Sequence, residues 1–509
     1  MMHIAHAMNL TFNGNGQGNG TGTNGLLRQI KKKAATAPAT ATPGVKENQV
    51  MFQTAEGVEL HGVPIRVTRY AVVFELYDPG VAIRLSEVLE EFEIILQGRT
   101  VYSSRVVVQN VVDAGMKVVC EVMLNESSWT DLNLGLALER EGGLAKEFKT
   151  FLKEWQKVYK VLPEFKIAVA DLQAFLYDLR LWLEQVELGV RLQPADRRAE
   201  YEHRVLQTLQ EPILSALVPA FEKFEALTSK IEKEAQPVHS LYAKHRLHPL
   251  VLCAPFMHRT FQKPLGYAGD YEMVSMMTRS PFQGGSIFAK ILNTFFLNTP
   301  PVVAHRNRID HLTQTLDFET QRATRRGRRA RVFNLGCGPA VEVQRFLTHS
   351  LLNQNIEFTL LDFNDETVAY TQRTLDQIKQ KNSSASTLRV IKKSVVQLLK
   401  ENSRLGRGSY DLVYCAGLFD YLTADVCAKL VDLFYELAAP GGLVLVSNVD
   451  ASNPSRGWME YVVDWNLIHR DAQQMAALLP GRVSKDAIRI VAEPTSVNIF
   501  AEIRKPENV

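Results

Sequence analysis

The chain has few cysteines, and none of them is arranged to bind a metal or to build a disulfide framework. No two of the five form a C-x-x-C pair, and this scatter is typical of a reducing compartment. They are Cys120, Cys253, Cys337, Cys415 and Cys427. Apolar runs of membrane-spanning length are missing, and the first residues lack the basic start and apolar core of a secretion signal. We therefore expect a cytoplasmic protein with no bound metal and no membrane span.

An excess of charge of one sign is missing too. The 58 Lys and Arg residues nearly balance 55 Asp and Glu residues, so the whole chain is not expected to attract nucleic acid or membranes. The 509 residues are too many for one hydrophobic core, so several domains are expected. Residues 1–49, rich in Asn, Gly, Thr, Ala and Pro, bury too little apolar surface to fold, and we interpret them as a disordered tail.

Residues 50–130 predict a small all-β barrel. Short runs of alternating apolar residues are separated by turn signals such as residues 78–80. The runs are Val63–Val67, Val72–Leu76, Glu93–Leu96, Arg99–Asn110 and Lys117–Val122. The arrangement resembles a PilZ-like domain, a module that often binds cyclic di-GMP, with Arg66 and Arg69 in place of its arginine arm. The family's second motif has no counterpart after Val72, so a degenerate barrel without the nucleotide is favoured.

Two segments separate the barrel from the C-terminal half. Residues 131–248 show apolar residues at helical spacing, which indicates either a helical bundle linking two domains or helices that pair into a homodimer. Residues 249–300 are rich in aromatic residues and glycine, which favours a lid or substrate segment over a packing turn. Tyr267, Asp270 and Tyr271 are its candidate catalytic residues, because tyrosine rings can line a pocket and donate hydrogen bonds.

A strand, a glycine turn and a helix begin the most informative stretch. Val332–Leu335 is a short apolar strand that leads into Gly336-Cys337-Gly338, where glycine permits a tight turn and a close approach to a ligand. The pattern lacks a full dinucleotide fingerprint, because Val341 stands where the third glycine would be. A second strand ends in Asp362, and an acid about 20 residues past the glycines suits a ribose diol.

The order of the following motifs resembles the class I S-adenosylmethionine methyltransferases. LGCGP, LLDFN, YDLVYCAGLFDYL and LAAPGGLVLVSNV follow one another as the first, second, fourth-strand and fifth-strand motifs of that family do. The strands concerned after the first are Phe358–Leu361, Leu388–Lys392, Tyr410–Cys415 and Leu443–Ser447, with a helix at Ala424–Ala438. The resemblance implies an α/β Rossmann-like methyltransferase domain over residues 301–509, with S-adenosyl-L-methionine as its cofactor.

The resemblance also implies the cofactor contacts by position in each motif. The glycines face the methionine end, Asp362 takes the ribose hydroxyls, and Phe363 flanks the adenine. The residues after the third strand reach the adenine edge through their backbone, and those after the fourth close the site. The implied set is Gly336, Cys337, Gly338, Asp362, Phe363, Ser394, Val395, Cys415, Ala416 and Gly417.

A narrower resemblance suggests the methyl acceptor. HPLVLCAPFMHRTFQKPLGYAGDYEMV, VAHRNRIDHL and WNLIHRD are similar to a bacterial group named after synthases of 3-hydroxy fatty acid methyl esters. It implies a small hydrophobic acid as substrate, with Arg306 or Arg308 holding the carboxylate and Asp420 as an orienting group or base. The candidate substrate-binding residues are Arg306, Phe419, Tyr421, Trp465 and His469.

Other functions stay open at this point. The fourth-strand segment is not N/D-P-P-Y, which disfavours methylation of amide or base nitrogens. The arginine-rich residues 322–331 are interpreted as an exposed loop in preference to an RNA contact, because no aromatic residues interleave to stack bases. A methyltransferase on another small molecule, or a regulator that senses S-adenosylmethionine or cyclic di-GMP without turnover, are the alternatives.

Overall fold

The computed structural model describes residues 48–54, 59–76, 83, 86–96, 98–113, 118–130, 143–158, 161–400 and 406–507. These residues form two compact units. The α/β unit comprises residues 307–451 and 467–507, and the barrel–helix unit comprises residues up to 306 together with residues 452–466. Nearly all of the predicted tail, and the turn at residues 78–80, lie outside the described residues.

Six antiparallel strands close into a barrel in the order β1-β2-β3-β6-β5-β4. They are β1 Gln49–Gln53, β2 Glu59–Val67, β3 Ala71–Leu76, β4 Val88–Leu96, β5 Arg99–Asp113 and β6 Val118–Met123. Side chains alternate inward and outward, so that Val72 and Leu76 of β3 are buried. The rings of Phe52, Phe74 and Phe92 fill the interior with centroids 5.6–5.8 Å apart. The predicted barrel is therefore present, with one strand, β1, that the sequence patterns missed.

Helices occupy the rest of the barrel–helix unit. They are α1 Gly143–Val158, α2 Pro163–Arg191, α3 Arg198–Thr228, α4 Gln236–Val251, α5 Pro255–Gln262, α6 Tyr271–Met276 and α7 Ile287–Leu297, followed by α8 Pro300–Arg325, which continues into the α/β unit. The first turn of α2 holds Pro163, whose fixed φ and missing N–H suit that position. Its apolar face buries Phe165 and Leu172, and the Phe165 ring lies 5.5 Å from that of Phe224 on α3. Pairing of these helices with a second copy of the chain stays a prediction.

The α/β unit is built on a seven-stranded sheet in the order β12-β13-β11-β10-β7-β8-β9. Its elements are β7 Ala330–Leu335, α9 Val341–His349, β8 Ile356–Asp362, α10 Asp365–Lys381, β9 Thr387–Lys392, α11 Val395–Lys400, β10 Tyr410–Cys415, α12 Ala424–Leu437, β11 Ala438–Val449, α14 Ala472–Ala476, β12 Ile488–Ala492 and β13 Asn498–Arg504. The five predicted strands run parallel, while β13 is antiparallel to β11 and to β12. The C-terminal hairpin β12–β13 was not predicted.

Both faces of this sheet are covered, and successive residues of a central strand enter different cores. On β10, Val413 packs into one core cluster and Leu412 into the other. In the sheet, β8 is the neighbour of β7 on one side and β10 is its neighbour on the other side. The strand order therefore reverses between β7 and β10, and ligands of such sheets bind at the carboxyl ends of the strands at that point.

Residues 452–466, with the short helix α13 Arg456–Tyr461, leave the α/β unit and belong to the barrel–helix unit. Ser240 Oγ donates to Tyr461 O at 3.1 Å, and His248 Nε2 lies 2.7 Å from Val462 O. Burial lowers the pKa of His248 to about 4, so the ring is neutral and its Nε2–H is the donor. The chain thus leaves the α/β unit after β11 and returns to it at residue 467.

Candidate cofactor and active site

The glycine turn after β7 is fixed to the end of β8 by backbone hydrogen bonds. Gly336 N and Cys337 N donate to Leu361 O at 2.8 and 3.0 Å. Gly336 and Gly338 have φ values of 72° and 51°, a region that favours glycine. A Cβ on Gly336 would lie 3.3 Å from Leu418 Cβ, so the turn packs against the loop that follows β10. The turn therefore presents bare backbone at the carboxyl edge of the sheet.

Asp362 stands at the end of β8 and joins this turn. Its Oδ2 accepts from Gly338 N at 3.1 Å, and its Oδ1 accepts from Asn364 N at 3.1 Å. The side chain is 5% exposed, and burial raises the pKa of the carboxyl group. A carboxylate offers about four acceptor positions, so the group can still accept from a ligand hydroxyl beside its backbone donors. This geometry suits the predicted ribose contact.

Ser394 begins α11 with reciprocal hydrogen bonds. Ser394 N donates to Gln397 Oε1 at 2.9 Å, and Ser394 Oγ accepts from Gln397 N at 3.2 Å. The Ser394 N–H is thus already bonded, and an S-x-x-Q pattern in the sequence would have indicated this. Phe363 and Val395 are partly exposed and keep surface for an adenine ring. Their contacts with adenine stay predictions.

A buried polar cluster that the sequence analysis missed lies beneath the turn. Glu342 of α9 is 6% exposed and its Oε1 accepts from Tyr414 OH at 2.7 Å and from Asn334 Nδ2 at 3.4 Å. Asn334 and Tyr414 are register partners on β7 and β10. Burial raises the pKa of Glu342, and the Tyr414 hydroxyl and the positive charge of Arg308 act against that rise.

Arg308 of α8 reaches the same edge of the sheet and is 9% exposed. Burial lowers the pKa of its guanidinium, while the charges of Asp420 and Glu342 raise it. Gly417, with φ of 92°, follows β10, and a Cβ there would lie 2.9 Å from one Nη of Arg308. Gly417 therefore lets the guanidinium approach the backbone, a reason for glycine that differs from the predicted cofactor contact.

Asp420 ties the loop after β10 to the end of β11. Its Oδ1 accepts from Val449 N and its backbone oxygen accepts from Ile468 N, both at 2.7 Å. Nearby Arg470, 4% exposed, donates to Phe419 O at 2.8 Å and to Asn448 Oδ1 at 2.6 Å. Burial raises the pKa of Asp420 to about 6, so the group is mostly ionised at neutral pH.

The other candidate residues of the α/β unit differ in exposure. Phe419 has no exposed surface and packs in the core, which favours a packing role over the predicted contact with an acceptor. Tyr421 and His469 are partly exposed and remain candidates for that contact. Cys337 and Cys415 are buried, and burial raises the pKa of both thiols well above the ordinary value, so they stay protonated.

Two candidates in the barrel–helix unit hold its helices together. Asp270 is 1% exposed and begins α6, where its Oδ1 accepts from Met273 N at 2.8 Å and from Arg259 Nε at 2.9 Å. Arg306 donates to Leu297 O at 2.7 Å at the end of α7, and to Met277 O at 3.3 Å. These contacts favour positioning roles for both residues.

The aromatic candidates of this unit are placed differently. Tyr267 and Tyr271 are partly exposed. Trp465 is 8% exposed, with its ring centroid 6.2 Å from that of Trp458. Roles of all three in acceptor binding or catalysis stay predictions.

The arginine-rich residues 322–331 are largely used within the α/β unit. Arg322 donates to the buried Glu319 at 2.8 Å and to Gly441 O at 3.0 Å. Arg328 pairs with Asp411, with one of its two bonds at 2.6 Å. Arg326 pairs with Glu507. These contacts account for three of the six arginines without an external anion.

In the barrel, the two arginines of the PilZ resemblance make contacts of their own. Arg66 lies 3.5 Å from Glu121, and the Arg69 guanidinium lies 5.9 Å from the Tyr70 ring centroid.

Within the described part of the chain, no group of three or more His, Cys, Asp or Glu side chains is placed to hold a metal ion. Among the described helices, none has the length and apolarity needed to cross a membrane.

A family model described as a methyltransferase domain matches residues 333–444. The match begins within β7 and ends within β11, and it confirms the predicted enzyme class, an S-adenosylmethionine-dependent methyltransferase, with that cofactor. The PilZ resemblance and the narrower methyl ester synthase resemblance stay predictions. No curated protein matches the chain in sequence.

Solved structures overlap the chain over a limited part. One is a possible exported protein from Bordetella parapertussis, 17% identical, covering 58% of this chain and 97% of its own, with a TM-score of 0.36. The magnesium protoporphyrin IX methyltransferase of Synechocystis PCC 6803 is 13% identical over 40% and 84% of the two chains, with a TM-score of 0.29. The N-methyltransferase NodS of Bradyrhizobium japonicum WM9 is 15% identical over 49% and 100%, also at 0.29. At these TM-scores the overlaps carry no argument about the acceptor.

Proposed function

We propose that this methyltransferase methylates the carboxylate of a fatty acid or a similar small hydrophobic acid and forms its methyl ester. The observation that carries the proposal is the state of Asp420. Its Oδ1 already accepts from Val449 N, and it lies among the charges of Arg308 and Arg470. This engagement suits a carboxylate that holds loops together better than one that abstracts a proton.

An acceptor that is already ionised has no need of such a base. A carboxylic acid has a pKa near 4 in water and reaches neutral pH as its anion, whereas an alcohol must lose a proton during transfer. When bound, S-adenosylmethionine supplies an electrophilic methyl group on a positively charged sulfur. The chain then has to align the carboxylate oxygen with that methyl carbon and to exclude water, since a dry site favours the meeting of opposite charges.

The sequence adds the acceptor class, through the narrower resemblance to the methyl ester synthases. Tyr421 and His469 are the residues of the α/β unit that we propose for the acceptor's surroundings. Arg306 is a weaker candidate for its carboxylate, because its guanidinium donates to two backbone carbonyl oxygens.

The direct test uses the purified full chain and methyl-labelled S-adenosylmethionine. Matched acceptors of one chain length, namely a straight-chain acid, its 3-hydroxy derivative, the primary alcohol and the primary amide, are compared by mass spectrometry. We expect labelled methyl esters from the acids and no product from the alcohol or the amide. Label in the alcohol, the amide or another metabolite would overturn the acceptor class. Binding of the cofactor without any labelled product would favour the regulator.

The Asp420→Asn variant tests the observation itself. Asparagine keeps an oxygen for Val449 N but cannot take a proton, so we expect the rate of ester formation to fall less than about 10-fold. A general base would show a loss of about 100-fold or more, together with a changed pH profile. Wild-type rates with an acid acceptor should be nearly constant from pH 7 to 8.5, since both Asp420 and the acid are ionised there.

A further inference from the structure

We propose that the exposed face of helix α2 is the surface through which two copies of this chain pair. The sequence alone did not decide between a linking bundle and helices that pair, and it indicated no surface for the pairing. The proposal concerns the barrel–helix unit and does not depend on the proposed acceptor. The surface, here called the α2 stripe, consists of Ile167, Ala170, Ala174, Tyr177, Leu181 and Leu188, together with Leu192 just beyond the helix.

The inward face of α2 is already occupied by helices of the same unit. Phe165 is buried there, and its ring lies 5.5 Å from that of Phe224 on α3. Further along the helix, Glu187 Oε2 accepts from Ile287 N of α7 at 3.0 Å. With 3.6 residues per turn, the residues of the α2 stripe fall on the side of the helix opposite Phe165. These contacts therefore fix the rotation of α2 with its stripe turned outward.

The α2 stripe exposes large apolar side chains to solvent. Five of its members and the two flanking rings of Phe175 and Trp182 are between 37% and 85% exposed. Side chains of this number and size leave on the order of 800 Å² of each copy open to a partner, which is the share of one partner in a standard interface. Soluble monomers rarely expose an apolar patch of that size, so the area indicates an interaction surface.

The spacing of the α2 stripe is that of a helix that pairs with another helix. Four of its members follow one another at intervals of seven residues, namely Ile167, Ala174, Leu181 and Leu188. A strict seven-residue period keeps an apolar seam between two supercoiled helices, whereas an isolated straight helix repeats every 3.6 residues. The helix has 29 residues. At 1.5 Å per residue it is about 43 Å long, which is enough for a seam of four heptads.

A second copy of the chain is the occupant that supplies a matching helix. The same stripe on two chains related by a two-fold axis is self-complementary, and two-fold dimers are the commonest oligomers of soluble proteins. Charged side chains beside the stripe are paired within the unit, Asp171 with Lys223 at 2.9 Å and Glu184 with Arg180 at 2.7 Å. These groups need no counter-charge from outside, so the stripe favours an apolar partner surface.

A lipid surface fits this face less well than a second helix does. Helices that lie on membranes carry Lys and Arg beside the apolar face, because these side chains attract anionic lipids. Here Asp171 and Asp178 lie on the exposed face between the stripe and Trp182, where an anionic surface would repel them. Arg180 and Arg191, on the other flank, are already paired with glutamates one turn away. A membrane is therefore an alternative outcome of the test.

The first test is the mass of the purified full chain, measured by sedimentation over a dilution series. We expect a species with twice the 57.3 kDa of one chain. Leu181→Glu places a charge in the middle of the seam, so we expect dimerisation to weaken at least about 100-fold. Leu351→Glu is the matched control, because Leu351 is an exposed leucine of the α/β unit, and it should leave the mass unchanged. Thermal melting by circular dichroism shows whether both variants are folded.

Cysteine cross-linking keeps the test decisive if Leu181→Glu folds poorly. All five native cysteines are buried, so an added exposed cysteine reports contact between copies under mild oxidation. A residue near a two-fold axis meets its own counterpart, so we expect a disulfide-linked dimer from at least one single variant of the stripe. Leu351→Cys is the control and should stay monomeric in a denaturing gel. The stripe variants are Ile167→Cys, Ala174→Cys, Tyr177→Cys, Leu181→Cys and Leu188→Cys.

Three outcomes would overturn the inference. A monomer at every concentration, with no cross-link from the stripe, would exclude a second copy as the occupant. A dimer that tolerates Leu181→Glu and forms no stripe cross-link would place the interface on another surface. Monomers that sediment with vesicles of anionic phospholipid would assign the stripe to a membrane. Failure of the fatty acid assay alone leaves the expected masses unchanged, so the two proposals fail separately.

Discussion

The barrel interior and the carboxyl edge of the α/β sheet both contain buried side chains, but these side chains differ in polarity. The barrel interior is apolar and closed, with Phe52, Phe74 and Phe92 in ring contact. The sheet edge buries Arg308, Glu342, Asp362 and Asp420 within one unit. Burying a charge costs free energy unless partners or a ligand offset it. The barrel interior therefore has the composition of a folding core, whereas the sheet edge buries charged groups that need partners or a ligand.

We expect the largest effect on the free energy of unfolding from a substitution in the apolar barrel core. Phe74→Ala removes a fully buried ring from the barrel, and we expect the free energy of unfolding to fall by about 3–5 kcal/mol. Denaturant unfolding followed by tyrosine and tryptophan fluorescence measures it. Val63→Ala, at a side chain that is 45% exposed, is the control and should cost less than about 0.5 kcal/mol. A similar loss in both variants would mean that the barrel core is not specifically packed.

Removing a buried polar side chain from the sheet edge should change ligand affinity more than it changes the free energy of unfolding. Asp362→Ala removes the group suited to the ribose hydroxyls and the acceptor of Gly338 N, so we expect about a 100-fold loss of S-adenosylhomocysteine affinity by calorimetry. Asp365→Ala, three residues on and exposed, should bind as the wild type does. 5′-Methylthioadenosine should lose affinity together with S-adenosylhomocysteine, because both ligands carry the ribose. An unchanged affinity would show that Asp362 does not bind the ribose.

The barrel–helix unit also buries an acidic side chain, Glu225, and its titration should make the stability of this unit depend on pH. Both carboxylate oxygens of Glu225 accept from the first amides of α13, Gly457 N and Trp458 N, and burial raises its pKa to about 7 from 4.5. The folded state therefore binds the proton more tightly than the unfolded state. Stability from this group is present below about pH 4.5 and is lost as pH rises towards 7.

Glu225→Gln should abolish that slope. Hydrogen exchange of the Trp458 amide, compared between variant and wild type at each pH, follows the stability of this contact. We expect the difference between the two proteins to change from pH 4.5 to 7 and to level off above that range. Glu222→Gln, on the exposed side of the same helix, is the matched control. A constant difference across the range would show that Glu225 titrates as an ordinary carboxyl group.

The smallest effect concerns the arginine-rich stretch. Arg328→Met breaks the pair with Asp411, and we expect a loss of about 1 kcal/mol in the free energy of unfolding. Arg329→Met, at an exposed neighbour, should change it by less than about 0.5 kcal/mol. A larger loss from Arg329→Met than from Arg328→Met would contradict the assignment of these arginines to contacts within the unit.

The sequence predicted the elements whose signals are local. The glycine turn, Asp362 and the five parallel strands follow from short patterns, and the structure has them where expected. The polar cluster was missed because Glu342 and Tyr414 are 72 positions apart, and each is unremarkable within its own segment. Phe419 shows the other limit, because an apolar residue after a strand can face a ligand or the core with the same sequence pattern. The hairpin β12–β13 was missed although Asn498–Arg504 contains the apolar run Ile499–Ala501, which is typical of a buried strand.

The excursion of residues 452–466 has a consequence for modularity. A fragment that begins at residue 307 would carry Trp458, Met459 and Tyr461, which are all buried, without the helices that bury them. It would also lack Ser240, one of the residues that hold the excursion in place. The α/β unit therefore cannot be separated from the barrel–helix unit by cutting the chain at one position.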